Sequence, residues 1–415
     1  MSDRSDHRPL DHLSAGTSGP LRYLDAAATA PLRPESRAAM LEVLDAGPAN
    51  PSSVHSAGHR ARWTLDAARA QIAGACDARP DEVVFTSGGT EANNLAIIGL
   101  SLANPRGRHV ITTPIEHPSI LESCRYLERV LGFEVTLLPV DDCGRVDPER
   151  VAASIREDTT LVSVGLANAE VGTVQDLPGI AAVAHARGAL VHTDAVQAAA
   201  SLPVGFGGAD AADAGAGSGP ASVSAWPGSC VDAMTIASHK FGGPQGAGAL
   251  LVRRGLPLEP LLHGGGQERG LRSGTENVAA IAGFGAAVRA QMRAGVGSRA
   301  RALMRSRDAL VTRILGEIPE ARLTGHPTER LPGHASFVVA GVSGESLLVA
   351  LDAAGFAVSS GSACAAGTDE PSPALLAMGI DPAVAQGAIR FTLSEPLSDT
   401  ELARVCAVLR AEMLR

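Results

Sequence analysis

Val231-Asp-Ala-Met-Thr-Ile-Ala-Ser238-His239-Lys240-Phe-Gly242-Gly243-Pro244-Gln-Gly246 is the stretch from which the rest of this 415-residue chain can be read. Positions 231–237 are apolar enough for a buried strand, small and polar residues end it, and glycines with a proline then turn the chain tightly. Lys240 therefore falls at a strand end beside turning backbone, where open α/β sheets bind ligands. It is also the only lysine, since 34 of the 35 Lys plus Arg residues are arginine. A solvated charge can be arginine. A primary amine that sheds its proton and forms an imine cannot, because a guanidinium stays protonated throughout the working range. The competing explanation is a surface lysine retained by chance.

The length suits one large domain and a smaller one. With 45% hydrophobic but 3% aromatic residues, the core has to be built from Ala, Val, Leu and Ile, as in α/β folds. A net charge of −9 offers no general attraction to nucleic acid or acidic membranes, so no direct nucleic-acid binding is expected. No apolar stretch approaches the roughly 20 residues of a membrane span. Residues 1–20 are polar and carry Asp3, Asp6 and Asp11, unlike a signal or transit peptide, and read as a disordered leader on a cytoplasmic protein. Cys76, Cys124, Cys143, Cys230, Cys364 and Cys406 form no C-x-x-C pair, which fits reduced thiols and no metal site.

Upstream of the lysine, strands and helices alternate. Asp81–Phe85 reads as a strand, followed by Thr86-Ser-Gly88-Gly89-Thr90-Glu91-Ala-Asn-Asn94 opening a helix to about Leu102. Such a turn can cradle a phosphate on backbone N–H groups at a helix N-terminus, with Gly89 and Thr90 as its centre, or it is a plain helix start capped by Thr90 or Ser87. The strand His109–Thr113 leads to Glu116-His117-Pro118-Ser119, where His117 is either a helix-start hydrogen bonder or a site residue. Strand 160–164 precedes Asn168, and strand 189–193 ends in Asp194-Ala-Val-Gln197. A carboxylate buried after a strand is costly unless it meets a positive partner, and helix N-capping is the other use for Asp194.

Residues 205–230 are Gly, Ala, Ser and Asp rich and are expected to form a flexible insertion. Beyond the lysine, His263-Gly-Gly-Gly-Gln267-Glu268-Arg269-Gly-Leu-Arg272-Ser273-Gly274-Thr275 suits a second phosphate contact. Helices from about 276 to 316 give way to an α+β pattern with strands near 334–340, 356–359 and 387–393. This predicts a large domain over 35–295 and a small one of 21–34 plus 296–415. Ser359-Ser-Gly-Ser-Ala-Cys364-Ala-Ala-Gly-Thr-Asp-Glu-Pro371-Ser372 places a cysteine amid small and polar residues, as an accessible reactive thiol on a mobile loop or an inert buried one. Arg390, inside the apolar run Ala388-Ile-Arg-Phe-Thr-Leu-Ser394, is a carboxylate fork or half of a structural ion pair.

The Ser-His-Lys-x-x-Gly-Pro segment resembles the Schiff-base lysine segment of the class V aminotransferase group of pyridoxal phosphate enzymes. The cysteine stretch, with its long loop to Glu370-Pro371-Ser372, resembles group I cysteine desulfurases, and the motifs run in order from about residue 22 to 411. That resemblance implies an α/β, fold-type I transferase with a large, mostly parallel sheet domain and a smaller α+β domain. It further implies pyridoxal 5'-phosphate on Lys240, its phosphate near Gly89, Thr90, Ser238 and His239, its ring nitrogen on Asp194, its ring oxygen on Gln197 and His117 stacked above. Arg390 with Asn168 would hold the carboxylate of L-cysteine, and Cys364 would take the sulfur as a persulfide, releasing L-alanine. Thr275 would reach the phosphate of a neighbouring subunit, implying a homodimer with shared active sites, and a transient acceptor protein would carry sulfur to iron-sulfur assembly or tRNA thiolation. Ala169 and Ala237 depart from the family, which often has asparagine and serine there. A selenocysteine lyase, another β-elimination enzyme, or a non-catalytic sulfur relay or scaffold are the rival readings.

Overall fold

The computed structural model describes residues 21–104, 106–206, 230–360 and 371–414. The leader 1–20, most of the 205–230 insertion and Cys364 thus lie outside the described residues.

The central sheet has seven strands: β2 (Val83–Thr86), β3 (His109–Thr112), β4 (Glu134–Leu137), β5 (Thr159–Ser163), β6 (Leu190–Asp194), β7 (Ala233–Ala237) and β8 (Gly248–Val252), in the order β2-β8-β7-β6-β5-β3-β4. All pairings are parallel except those of β8, which runs against both β7 and β2. β2 therefore runs the same way as the other five, and the C-terminal ends of six strands share one edge. Apart from the partly exposed edge strand β4, the strands are short and largely buried on both faces, so alternate residues enter different cores. Phe85, Ile111, Val162, Leu251 and Ile236 pack on one side, with Leu65, Ile72 and Phe284 from helices Ser56–Ala75 and Val278–Ala294. Val84, Val110, Leu161 and Leu250 pack on the other, with Leu95 and Ile97.

Polar residues inside the sheet are satisfied across strands, as burial demands. His192 bridges the hydroxyls of Ser163 (3.0 Å) and Thr235 (3.1 Å), and burial pushes its pKa down to about 3. This histidine is a neutral cross-strand tie.

A second, antiparallel sheet joins β9 (Ala321–Leu323), β10 (His334–Val339) and β12 (Ala388–Thr392) in the order β12-β10-β9. Phe337, Phe391, Leu310, Ile314 and Val405 form its core with helices Val296–Glu317 and Asp399–Met413. The N-terminal strand β1 (Arg22–Tyr23) pairs with β11 (Phe356–Ala357), which fastens the segment after it to this half of the molecule.

Most expected elements are present with shifted ends. The first strand starts at Val83 rather than Asp81 because Pro80 opens a 3-10 turn, Pro80–Glu82, whose Glu82 carboxylate accepts the Arg79 N–H. The helix from Gly89 to Ala103 is α over Gly89–Asn94, π over Leu95–Gly99 and α again. Strand Ala321–Leu323 was not anticipated, since three residues carry no period. Among the described residues no helix is long and apolar enough to cross a membrane.

Candidate active site

Turns leaving β2, β3, β5, β6 and β7 converge at the shared edge of the central sheet and line a cavity of about 350 Å³. Eight predicted residues line it: Gly89, Thr90, His117, Asn168, Asp194, Gln197, His239 and Lys240. Three do not. Ser238 is fully buried, and its hydroxyl lies where a Cβ on Gly243 would stand, 2.2 Å away, rather than in the cavity. Thr275 is exposed elsewhere on the surface, and Arg390 sits behind the cavity wall.

Lys240 closes the short turn Ser238–Lys240 after β7. Its ammonium donates to the carbonyls of Ala27 and Ala28, the latter at 2.9 Å. Those carbonyls belong to the segment after β1, which Ala30 N–H to His239 O (3.0 Å) and Gln197 Nε2 to Ala27 O (3.0 Å) also hold down. A strap of alanines thus positions the one lysine.

The turn after β2 makes no side-chain cap: Gly88 holds the N-cap position, and the Ser87 N–H is taken by Glu91, itself paired with Arg272 at 2.7 Å. Neither Thr90 nor Ser87 is spent on capping. A Cβ added at Gly89 would stand 3.1 Å from Val196 Cγ2 and 3.4 Å from Ala237 Cβ, so these side chains would have to give by a few tenths of an ångström. The helix N-terminus with its positive dipole end opens on the cavity.

Asp194 and His117 belong to one hydrogen-bond chain. Asn93 Nδ2 donates to Asp194 Oδ2 (2.7 Å) and to Ser119 Oγ (2.9 Å), and Ser119 donates through its hydroxyl (2.7 Å) and its N–H (3.1 Å) to His117 Nδ1. With Nδ1 accepting, the ring proton of neutral His117 is on Nε2. Burial lowers the His117 pKa, and the Lys240 charge lowers it while Asp194 opposes. Asp194 Oδ1 also accepts the Val196 N–H (2.9 Å), so one carboxylate fixes the local turn and lines the cavity. His117 likewise caps helix Pro118–Leu131 while facing the cavity. His239, beside Thr29 Oγ1 (3.3 Å), is lowered to about 4 by burial and by Lys240, and is neutral.

The sequence did not single out Glu116, Asn93 or Ala27. Glu116 lines the cavity, accepts from Thr113 Oγ1 (2.8 Å) and Gly165 N–H (3.0 Å), and is pushed up to about 7, mainly by burial. Asn93 follows Thr90 by three residues on the same helix face, a spacing that could have flagged it. The Ala27 carbonyl carries no side-chain signal at all. Asn168 spends its amide on Ile115 O (2.8 Å) and on the N–H groups of Glu170 (2.8 Å) and Val171 (2.9 Å), fixing the loop after β5. Arg390 is paired with Asp25 at 2.8 Å and donates to Ala169 O at 3.0 Å, while its buried Nε has no hydrogen-bond partner among the described residues.

Among solved structures, a NifS-like protein superposes with a TM-score of 0.82 at 31% identity, covering 95% of this chain and 100% of that one. SspA in complex with cysteine superposes with a TM-score of 0.75 at 31% identity, over 91% and 100% of the two chains. A mostly parallel sheet with a lysine and a carboxylate at its C-terminal edge is here the fold-type I architecture of pyridoxal phosphate enzymes. The family model for aminotransferase class-V matches residues 22–219 and 208–404. The cysteine desulfurase IscS of Dictyoglomus turgidum is 41% identical over 362 residues, 87% of this chain and 86% of its own length. The chain belongs to the aminotransferase class-V family, among its cysteine desulfurases.

Proposed function

We propose that the protein is a group I cysteine desulfurase that binds pyridoxal 5'-phosphate at Lys240, moves sulfur from L-cysteine to Cys364 and releases L-alanine. The observation that carries this is the gathering of the sole lysine, Asp194 and the uncapped Gly89-Thr90 helix start around one cavity of about 350 Å³. The residues fit the cofactor: Thr90, the Gly89 backbone and His239 suit its phosphate, Asp194 its ring nitrogen and Gln197 its ring oxygen. Ser238 does not line the cavity, so His239 and backbone take the place that Ala237 leaves without a hydroxyl. When bound, the cofactor supplies an electron sink for the charge left by removal of the substrate α-proton.

The chain's own groups supply the rest. Lys240, as a neutral amine, would serve as the general base, held within the cavity by the Ala27 and Ala28 carbonyls. His117, neutral with its proton on Nε2, is placed to donate that proton inside the cavity. The substrate carboxylate engages Arg390, which reaches the cavity-lining Ala169 and would exchange its Asp25 bond for the substrate, with Asn168 fixing the adjoining loop. The Cys364 thiolate attacks the substrate sulfur; the carbon–sulfur bond breaks, a sulfur–sulfur bond forms, and L-alanine leaves after carbon is protonated. A second copy completes the site through Thr275, in a cytoplasmic homodimer divided into a large domain over 35–295 and a small one of 21–34 plus 296–415. The persulfide then passes to an acceptor protein serving iron-sulfur assembly or tRNA thiolation.

The test is Cys364→Ala in cofactor-loaded protein. Persulfide formation should vanish while the visible absorbance of bound cofactor remains. Sustained turnover of L-cysteine without that thiol would instead identify a lyase, and wild-type protein that takes up no cofactor would leave a sulfur relay or scaffold.

A further inference from the structure

Behind the active site lies a second cavity, of about 390 Å³, which shares Gln197 and Lys240 with the first. Its far wall carries two guanidinium groups, one from the segment after β1 and one from helix Val296–Glu317. Arg33 comes from the segment before helix Pro34–Asp45 and donates through Nε to Phe241 O at 2.8 Å. Arg299 comes from the first turn of helix Val296–Glu317 and donates through one terminal nitrogen to Ser394 O at 2.9 Å. These single bonds to carbonyls are the only ones either side chain makes among the described residues. Burial lowers the Arg299 pKa, and the nearby charge of Arg33 lowers it further. Two half-buried like charges lining one cavity are unfavourable without an anion between them, and Glu395 offsets this only in part. Glu395 is the only acid lining the cavity, against Arg33, Arg299 and Lys240, and it is largely exposed and paired with Arg22 at 3.4 Å. The acidic Glu35 next to Arg33 is exposed and does not line the cavity. In a chain of net charge −9, an interdomain cavity with this excess of cations is a local exception.

We propose that this rear cavity is a binding site for a small oxyanion, gripped between Arg33 and Arg299 behind Lys240. The planar forks of two arginines suit the oxygens of a carboxylate, a phosphate or a sulfate. The site does not depend on the desulfurase reading, because nothing in it requires sulfur chemistry.

The experiment is calorimetric titration of cofactor-saturated protein, so that the Thr90 turn is already filled, with sulfate and phosphate in one arm and acetate and L-alanine in the other. Saturable binding is expected, weakened about tenfold or more in Arg299→Gln and in Arg33→Gln. Glu395→Gln should tighten binding, an effect that a merely structural role of these residues would not produce. The tighter arm names the source of the oxyanion. No binding to wild-type protein in either arm, or equal affinity in both arginine variants with unchanged circular dichroism, overturns the proposal. Because binding is read as heat rather than turnover, failure of the desulfurase reading would leave this result standing.

Discussion

The two cavities that meet at Lys240 are built from different material. The front one is made of turns at strand ends in a parallel sheet, so its residues stand within a few positions of strands whose burial pattern is strong. The rear one is made largely of the strap 25–34, the start of helix Val296–Glu317 and the segment after β12, which are far apart in sequence and meet only in the folded chain. The contrast teaches that side-chain chemistry in this molecule comes from the sheet edge, whereas the placement of that chemistry comes from backbone delivered by the other half. Asp25 with Arg390, Ala27 with Lys240 and Gln197, and Thr29 with His239 are its fastenings.

The strongest way to break that contrast is Lys240→Arg, which keeps a cation for the Ala27 and Ala28 carbonyls but removes the amine chemistry. Turnover of L-cysteine should fall by about 10²- to 10⁴-fold and the bound-cofactor absorbance should disappear, with thermal stability little changed. An active arginine variant would mean that the position needs charge alone. Next, Asp25→Asn attacks the strap by leaving Arg390 buried beside a neutral amide. Urea unfolding should show a loss of about 3 kcal/mol, in the range for breaking one half of a buried pair, and the Michaelis constant for L-cysteine should change more than the turnover number. Unaltered stability would show that this pair does not fasten the strap.

Gly242→Ala is a subtler probe. Its φ of +77° and the 2.8 Å approach of a built Cβ to both Pro31 O and Arg33 Cγ press on the strap from below the lysine. A left-handed alanine costs about 1–2 kcal/mol before any contact is counted, so the melting temperature should drop; a wild-type melting curve would refute the close packing. The smallest expected effect belongs to the front cavity. Burial raises Glu116 from an ordinary 4.5 to about 7, so the unfolded chain releases this proton first. Stability contributed by the protonated carboxyl is complete below pH 4.5 and is lost as pH rises to about 7. Glu116→Gln should flatten that part of the stability profile, and an unchanged slope would assign it to other groups.

The front cavity was largely legible because each of its residues sits next to an element with a recognisable pattern: Thr90 after β2, His117 after β3, Asp194 ending β6. Local and functional uses also coincided there. His117 caps a helix and Asp194 holds the Val196 N–H while both line the cavity, so a local use does not keep either residue out of it. Ser238 shows the limit. It neighbours Ala237 in sequence, yet the turn after β7 sends its hydroxyl toward Gly243, because one position along a strand end reverses the side on which a side chain falls. Arg390 shows another, since its resemblance to a carboxylate fork said nothing of Asp25, 365 residues away.

By itself the sequence determined an alternating α/β chain, the one residue able to form an imine and the strand-end turns around it, because short-range periodicity and amino-acid chemistry are local properties. Only the tertiary structure decided that alanine carbonyls hold the lysine, that Asn93 and Ser119 link Asp194 to His117, and that Arg33 and Arg299 line one cavity. Those contacts join segments dozens to hundreds of residues apart through backbone atoms and geometry, and such atoms are identical in every residue until the chain folds.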